Sequence, residues 1–266
     1  MLIGARSINP AEQQALKDSE IHQLRMHTFR TKQRPLQGGH RVADHTVHRR
    51  MLHLRINGSI LWGVGPSTNA WISRGVGLDR AVEVAAAWLA DAGDNYGQRA
   101  LVVPQKGDLR HPTPAIARFI ANGNVGSSRS LSVQTGGPIL AFVPSLELLA
   151  DAARLADGNA LGVVEHAAGE VAGWAAAVGA IDLATGAAGP EVDPALREAF
   201  ESIHDAGYNG YSLSDSFLRR RIDEDLELLV QADVSFEFLA GYIVGLGAGG
   251  HRLDGLRQVY TKHTGR

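Results

Sequence analysis

Four groups of residues in the 266-residue chain have types and spacing that could do chemistry. The first is His40, Asp44, His45 and His48, followed by His53. A helical turn would set Asp44 above His48 with His45 beside it, and imidazole with carboxylate suits zinc, manganese or iron. A divalent metal held by His40, Asp44, His45 and His48 is one reading, although the spacing is not HExxH. The other is a polyanion-binding surface in which these histidines are extra donors, because Arg30, Lys32, Arg34, Arg41, Arg49, Arg50 and Arg55 surround them. Between positions 22 and 55 eight basic residues stand against one acid, Asp44, in a chain whose formal net charge is −2. Such a segment neutralises nucleic-acid phosphates or meets acids of the protein itself. Positions 191–233 carry eleven acids against four arginines, so the positive segment of one copy has a negative surface available on the same chain or on another.

The second group follows three apolar runs. Lys106, Asp108, Arg110 and His111 come after Ala100–Val103, Ser145 comes after positions 139–143, and Glu165 and His166 come after 160–164. In open α/β sheets ligands bind beyond the carboxyl ends of the strands. If these strands are neighbours, Lys106, Asp108, Arg110, His111, Ser145, Glu165 and His166 line one crevice holding a general acid or base, an anion clamp and a helix N-terminus for phosphate, with Lys106, Asp108, His111, Glu165 and His166 as the catalytic candidates. That is the equipment of a hydrolase or phosphoesterase, metal-dependent if the His-rich segment supplies the ion. Loops that leave strands are polar without any catalysis as well, which is the plainer account of the same residues.

The third group, His166 with His204-Asp205 and Asp233, resembles the H…HD…D ligand order of HD-type phosphohydrolases and so implies a metal. Those folds are wholly helical around the ion, whereas His166 ends a strand-like run. His204 also falls near a helix C-terminus, where the dipole favours an imidazolium without any metal. The fourth, Gly245, Gly247 and Gly250, is formally GxGxxG, but the sixteen residues after Gly250 are too few for the rest of a dinucleotide fold. A hinge between helices is predicted there. No GxxxxGK[ST] or GxSxG occurs. The opening stretch from Leu2 through Asn9-Pro10 to Gln13 resembles a segment of arginase and agmatinase relatives. The manganese motifs DxHxD and DxDxxD of those enzymes are absent, so the likeness implies a local β-α unit and no activity.

Composition narrows the chemistry further. With 44% hydrophobic and 20% charged residues the chain is of ordinary globular type. The absence of cysteine excludes a disulfide scaffold, a thiolate zinc site, a Cys-held iron-sulfur cluster and a Cys nucleophile. The start lacks a signal-peptide pattern, and no apolar run reaches the ~18–20 residues that cross a bilayer. A cytoplasmic protein without a membrane span is therefore expected. Asn57-Gly58-Ser59 reads as a turn.

The elements that must position these groups form an α/β protein. A mostly parallel sheet flanked by helices is expected, with a basic N-terminal segment (1–50), an α/β domain that opens on a β-hairpin (51–184) and a C-terminal all-helical lobe (191–266). Leu52, Leu54 and Ile56 alternate with polar residues, Asn57-Gly58 suits a type I′ turn, and Ile60, Trp62 and Val64 alternate back. Asp79 is placed as the cap of a helix that Gly93 ends. Thr113-Pro114 opens another helix with Ile116, Phe119 and Ile120 inward, and 131–134 is read as a strand. Two β-α units follow: 139–143 leading through Ser145 into Leu146–Ala156, and 160–164 leading into a helix near 171–180. Apolar strands broken by helices are covered on both faces, which is the mark of a parallel sheet. Beyond the Gly-rich positions 185–190 only helical periodicity remains, beginning at Asp193-Pro194.

Overall fold

The structure is a computed structural model that describes residues 68–208, 210–211 and 216–265. The basic segment, the His40–His48 group and the hairpin at 52–64 lie outside the described residues. Six strands form one sheet: β1 (Asn69–Ser73), β2 (Ala100–Val103), β3 (Val125–Ser127), β4 (Ile139–Phe142), β5 (Leu161–Glu165) and β6 (Ile181–Asp182). All five pairings are parallel, in the order β3-β2-β4-β5-β1-β6. With eight α-helices among the described residues, the chain is α/β, as expected.

Strand side chains alternate between two buried clusters. Leu101, Val103, Leu140, Phe142 and Val164 face α1 (Leu78–Ala92) and α2 (Pro114–Phe119). Ala100, Val102, Ile139, Ala141, Leu161 and Val163 face α3 (Leu146–Ala156), α4 (Ala172–Val178) and the helices that follow. This is the period of two that a pleated strand imposes. Among the described residues helices cover both faces of the sheet, so β2, β4 and β5 are buried at every position.

The boundaries follow local chemistry. Thr113 Oγ1 accepts from the Ile116 N–H at 3.4 Å and Ser145 Oγ from the Leu148 N–H at 3.3 Å, capping α2 and α3 as expected. Ile120 is only half-buried, because it leaves α2 for a 3-10 turn over Ile120–Asn122. Asp79 is not the cap of α1. Gly77 holds that position, and Asp79 Oδ1 instead accepts from the Ala115 N–H at 2.7 Å, tying the start of α1 to the start of α2.

Residues 131–134 do not form a strand. The third strand is Val125–Ser127, and Gly126 within it leaves room for Val133 to fold back over it; a methyl on Gly126 would lie 2.8 Å from Val133 Cγ1. Neither β1 nor the two-residue β6 was apparent in the sequence, although β1 lies between β5 and β6.

After the sheet come α5 (Pro194–Ala206), α6 (Ser216–Gln231), α7 (Phe236–Gly245) and α8 (Leu253–Thr264). α7 lies backbone to backbone on α4, where a side chain at Gly173 would overlap the Phe238 carbonyl. A single buried cluster runs from the strands through α4 to α8. Gly247, at φ +99°, and the turn Gly250–Arg252 connect α7 to α8, so the glycine run lies between two helices.

Candidate active site at the carboxyl edge of the sheet

A parallel sheet brings every strand's C-terminus to one edge. Helices leave β1 and β2 toward one face and β4 and β5 toward the other. Two neighbouring pairs, β5 with β1 and β2 with β4, therefore part at their ends, and such points are where open α/β sheets take ligands.

At the first point, Glu165 ends β5 opposite Ser73, its register partner at the end of β1. Alternation puts Ser73 on the face of Trp71 and Glu165 on the face of Leu161 and Val163, the same side of the sheet. Glu165 is 3% exposed. Its Oε2 accepts from the N–H groups of Gly169 at 3.2 Å and Val171 at 3.4 Å, so the carboxylate ties down the loop leading to α4. Burial pushes its pKa up; those two N–H groups pull it down, and the charges of Glu170 and Asp182 push it up again. A buried carboxyl with a raised pKa is the form a proton-transferring group takes.

Ser73 Oγ accepts from the Gly75 N–H at 3.2 Å, shaping the turn Arg74–Val76. Gly77 then opens the 15-residue α1 without a side-chain cap, which leaves its first N–H groups facing the same edge. Asp182, the last residue of β1's other neighbour β6, closes a turn by accepting from the Ala184 N–H at 2.9 Å and the Thr185 hydroxyl at 2.8 Å.

At the second point, Lys106, Asp108, Arg110 and His111 follow β2 on exposed positions. Asp108 Oδ2 accepts from the Gln105 N–H at 3.2 Å, a local tie that holds the turn Lys106–Leu109. After β4, Val143 takes φ +44°, a left-handed conformation uncommon for a β-branched residue. Ser145 caps α3.

β2, β4 and β5 are consecutive in the sheet, so their three loops lie along one edge. Glu165 and His166 stand two strands from Lys106, Asp108 and His111, roughly 10 Å at the usual strand spacing. Among the described residues no hydrogen bond or ion pair joins the two sets. His166 is exposed while Glu165 beside it is buried.

The H…HD…D set does not come together. His204 Nδ1 lies 3.4 Å from Asp205 Oδ1 at the end of α5, and Asp233 lines a pocket with no histidine in its wall. Among the described residues no group of three or more His, Asp or Glu side chains is placed to hold a metal. The physical reason is that His166 follows sheet strand β5, whereas Asp233 follows α6.

The residues missed from sequence at this edge are Ser73, the turn Arg74–Val76 and Asp182. The signal was the five-residue apolar-polar stretch Asn69–Ser73, ending just before Gly75 and Gly77 and an amphipathic helix. Fold and edge together define an open, doubly wound parallel α/β protein with a buried acid at its topological switch point. Comparison with protein families, with characterised proteins and with solved structures finds no match.

Proposed function

We propose that the protein is a hydrolase of small esters or phosphoesters, working at the carboxyl edge of its sheet with Glu165 as the proton-transferring group. The observation that carries this reading is the burial of Glu165 at the β5/β1 switch point, with its pKa raised. A carboxyl whose pKa is raised keeps its proton to higher pH than an exposed one, which suits it to proton transfer. Arg74 and the uncapped start of α1 supply positive potential for a phosphoryl or acyl oxygen on the neighbouring loop. The Ser73 hydroxyl stands beside the acid.

The test is a panel of p-nitrophenyl acetate, phosphate and bis-phosphate, with and without magnesium, manganese or zinc. Hydrolysis is expected to fall roughly 10²–10⁴-fold in Glu165→Gln, the range for loss of a general acid or base. Undiminished turnover by a folded Glu165→Gln protein would overturn the assignment.

A second reading, nucleic-acid binding through residues 25–55, is favoured by the eight-to-one excess of basic residues there. Part of the acidic surface that would compete for those cations is occupied locally. His263 lies 3.6 Å from Asp223 and 3.3 Å from Glu227, and Ser202 donates to Asp225 at 2.6 Å. The same charge pattern would support self-assembly if the basic segment of one copy met the acidic helices of the next.

A further inference from the structure

A separate concavity of about 300 Å³ lies between the start of α5 and the turn from α6 to α7. Its wall is apolar: half-buried Val192 and Leu196 come from the α5 side and Val234 and Phe238 from the α7 side, with the fully buried Phe200 behind them. Phe200 is fixed by stacking on Tyr242, with centroids 4.3 Å apart, and meets Phe238 at 6.0 Å. The rim is acidic. Glu191, Asp193 and Asp233 all line the opening and all are exposed.

Among the described residues none of these three carboxylates is in an ion pair. No lysine, arginine or histidine lines the pocket. Arg197, the basic residue next to Leu196, is directed at the Tyr242 hydroxyl. Asp193 spends one carboxylate oxygen on the Ala195 N–H at 2.8 Å, and Asp233 holds a left-handed turn at φ 56°.

The complement of an apolar cup with a negative rim is a cation carried on an apolar body. Carboxylates attract an ammonium group, the apolar wall takes the body that carries it, and the cavity is at the small end of the ligand-pocket range of about 300–1,000 Å³. A neutral ligand would leave the three carboxylates uncompensated, and an anion would be repelled. We propose that this pocket binds a small organic cation, an alkyl- or arylammonium whose apolar part lies against Leu196, Val234 and Phe238 while its charge stays at the rim of Glu191, Asp193 and Asp233. The site is independent of the sheet edge.

The experiment is calorimetric titration of the full chain with benzyltrimethylammonium, benzyl alcohol and benzoate. The ammonium is expected to bind saturably, at least tenfold more tightly than the alcohol, with benzoate weaker still. Glu191→Gln and Asp233→Asn should each weaken the ammonium about two- to fivefold, the range for exposed charge pairs, and leave the alcohol unchanged. Asn keeps the left-handed turn available, so Asp233→Asn tests charge rather than folding. High salt should weaken only the ammonium. Equal binding of alcohol or benzoate, indifference of the ammonium to both substitutions, or no binding of any probe would each overturn the proposal.

Discussion

Replacing Glu165 by Gln and by Ala separates the charge of the buried acid from its hydrogen bonds. Gln keeps an oxygen for the Gly169 and Val171 N–H groups and removes the charge. Because the folded protein holds the Glu165 proton more tightly than the unfolded chain, it binds more protons than the unfolded chain as pH rises from the ordinary glutamate value of 4.5. Wild-type stability therefore declines through that window and levels off above the folded pKa, by about 1.4 kcal/mol for each unit of elevation. The Gln variant has no such decline. The two proteins should be within about 1 kcal/mol of each other below pH ~4, where both side chains are neutral, and Gln should be the more stable at pH ~8.

Alanine strands both donors. The hydrogen bond from the Val171 N–H is buried, and leaving that donor unpaired costs about 1–3 kcal/mol, whereas the one from the Gly169 N–H is only part-buried, costing about 0.5–1 kcal/mol. The Ala variant should thus fall about 2 kcal/mol below Gln at every pH. Urea unfolding followed by circular dichroism, run across that pH range, measures all three. A Gln-minus-wild-type difference that does not grow with pH, or grows in the other direction, would refute the reasoning.

Other outcomes follow from single contacts. Gly173→Ala drives a methyl into the Phe238 carbonyl, a backbone clash that no rotamer relieves, and should cost about 3 kcal/mol or more in thermal unfolding. Gly97→Ala, with nothing within 4 Å of the added carbon, should change little. The hydrogen bonds to Thr113 and to the Ala115 N–H hold the pKa of Asp79 below its ordinary 3.8, so its contribution is present above that pH and lost as pH falls through the folded value. Asp79→Asn should accordingly destabilise at pH 7 and converge on wild type in acid. Thr113→Ala should cost about 1 kcal/mol as a lost helix cap. If residues 25–55 bind nucleic acid, the logarithm of affinity for a DNA duplex should fall linearly with the logarithm of salt concentration. Arg49→Ala with Arg50→Ala should reduce that slope by about 2; a salt-independent affinity would argue against phosphate neutralisation.

Much of this architecture was legible because the signals were local. Thr113-Pro114 and Ser145 announced the starts of their helices, and the all-apolar runs of β2, β4 and β5 announced a sheet covered on both faces. The positions of Lys106, Asp108, His111, Glu165 and His166 at strand ends followed from the same runs. What stayed hidden depends on tertiary context. β1 reads as Asn-Ala-Trp-Ile-Ser, too short and too mixed to stand out, and it acquires its central place only by pairing with β5 on one side and β6 on the other. Leu131 and Val133 alternate like a strand, yet Gly126 gives Val133 a packing site that competes with pairing. The unequal fates of Glu165 and His166, one buried and one exposed, arise where the strand ends and the chain turns over its own carboxylate, and adjacent letters do not encode that.

The claim at the centre is that Glu165 holds its proton more tightly than an ordinary glutamate. Carbon-13 labelling of the glutamate carboxyls, with Glu165→Gln to assign the resonance, lets NMR follow that one group through a pH titration of the full chain. A midpoint above 4.5 is what the burial of Glu165 predicts. A midpoint at or below it would contradict both the account of this carboxyl and the function built upon it.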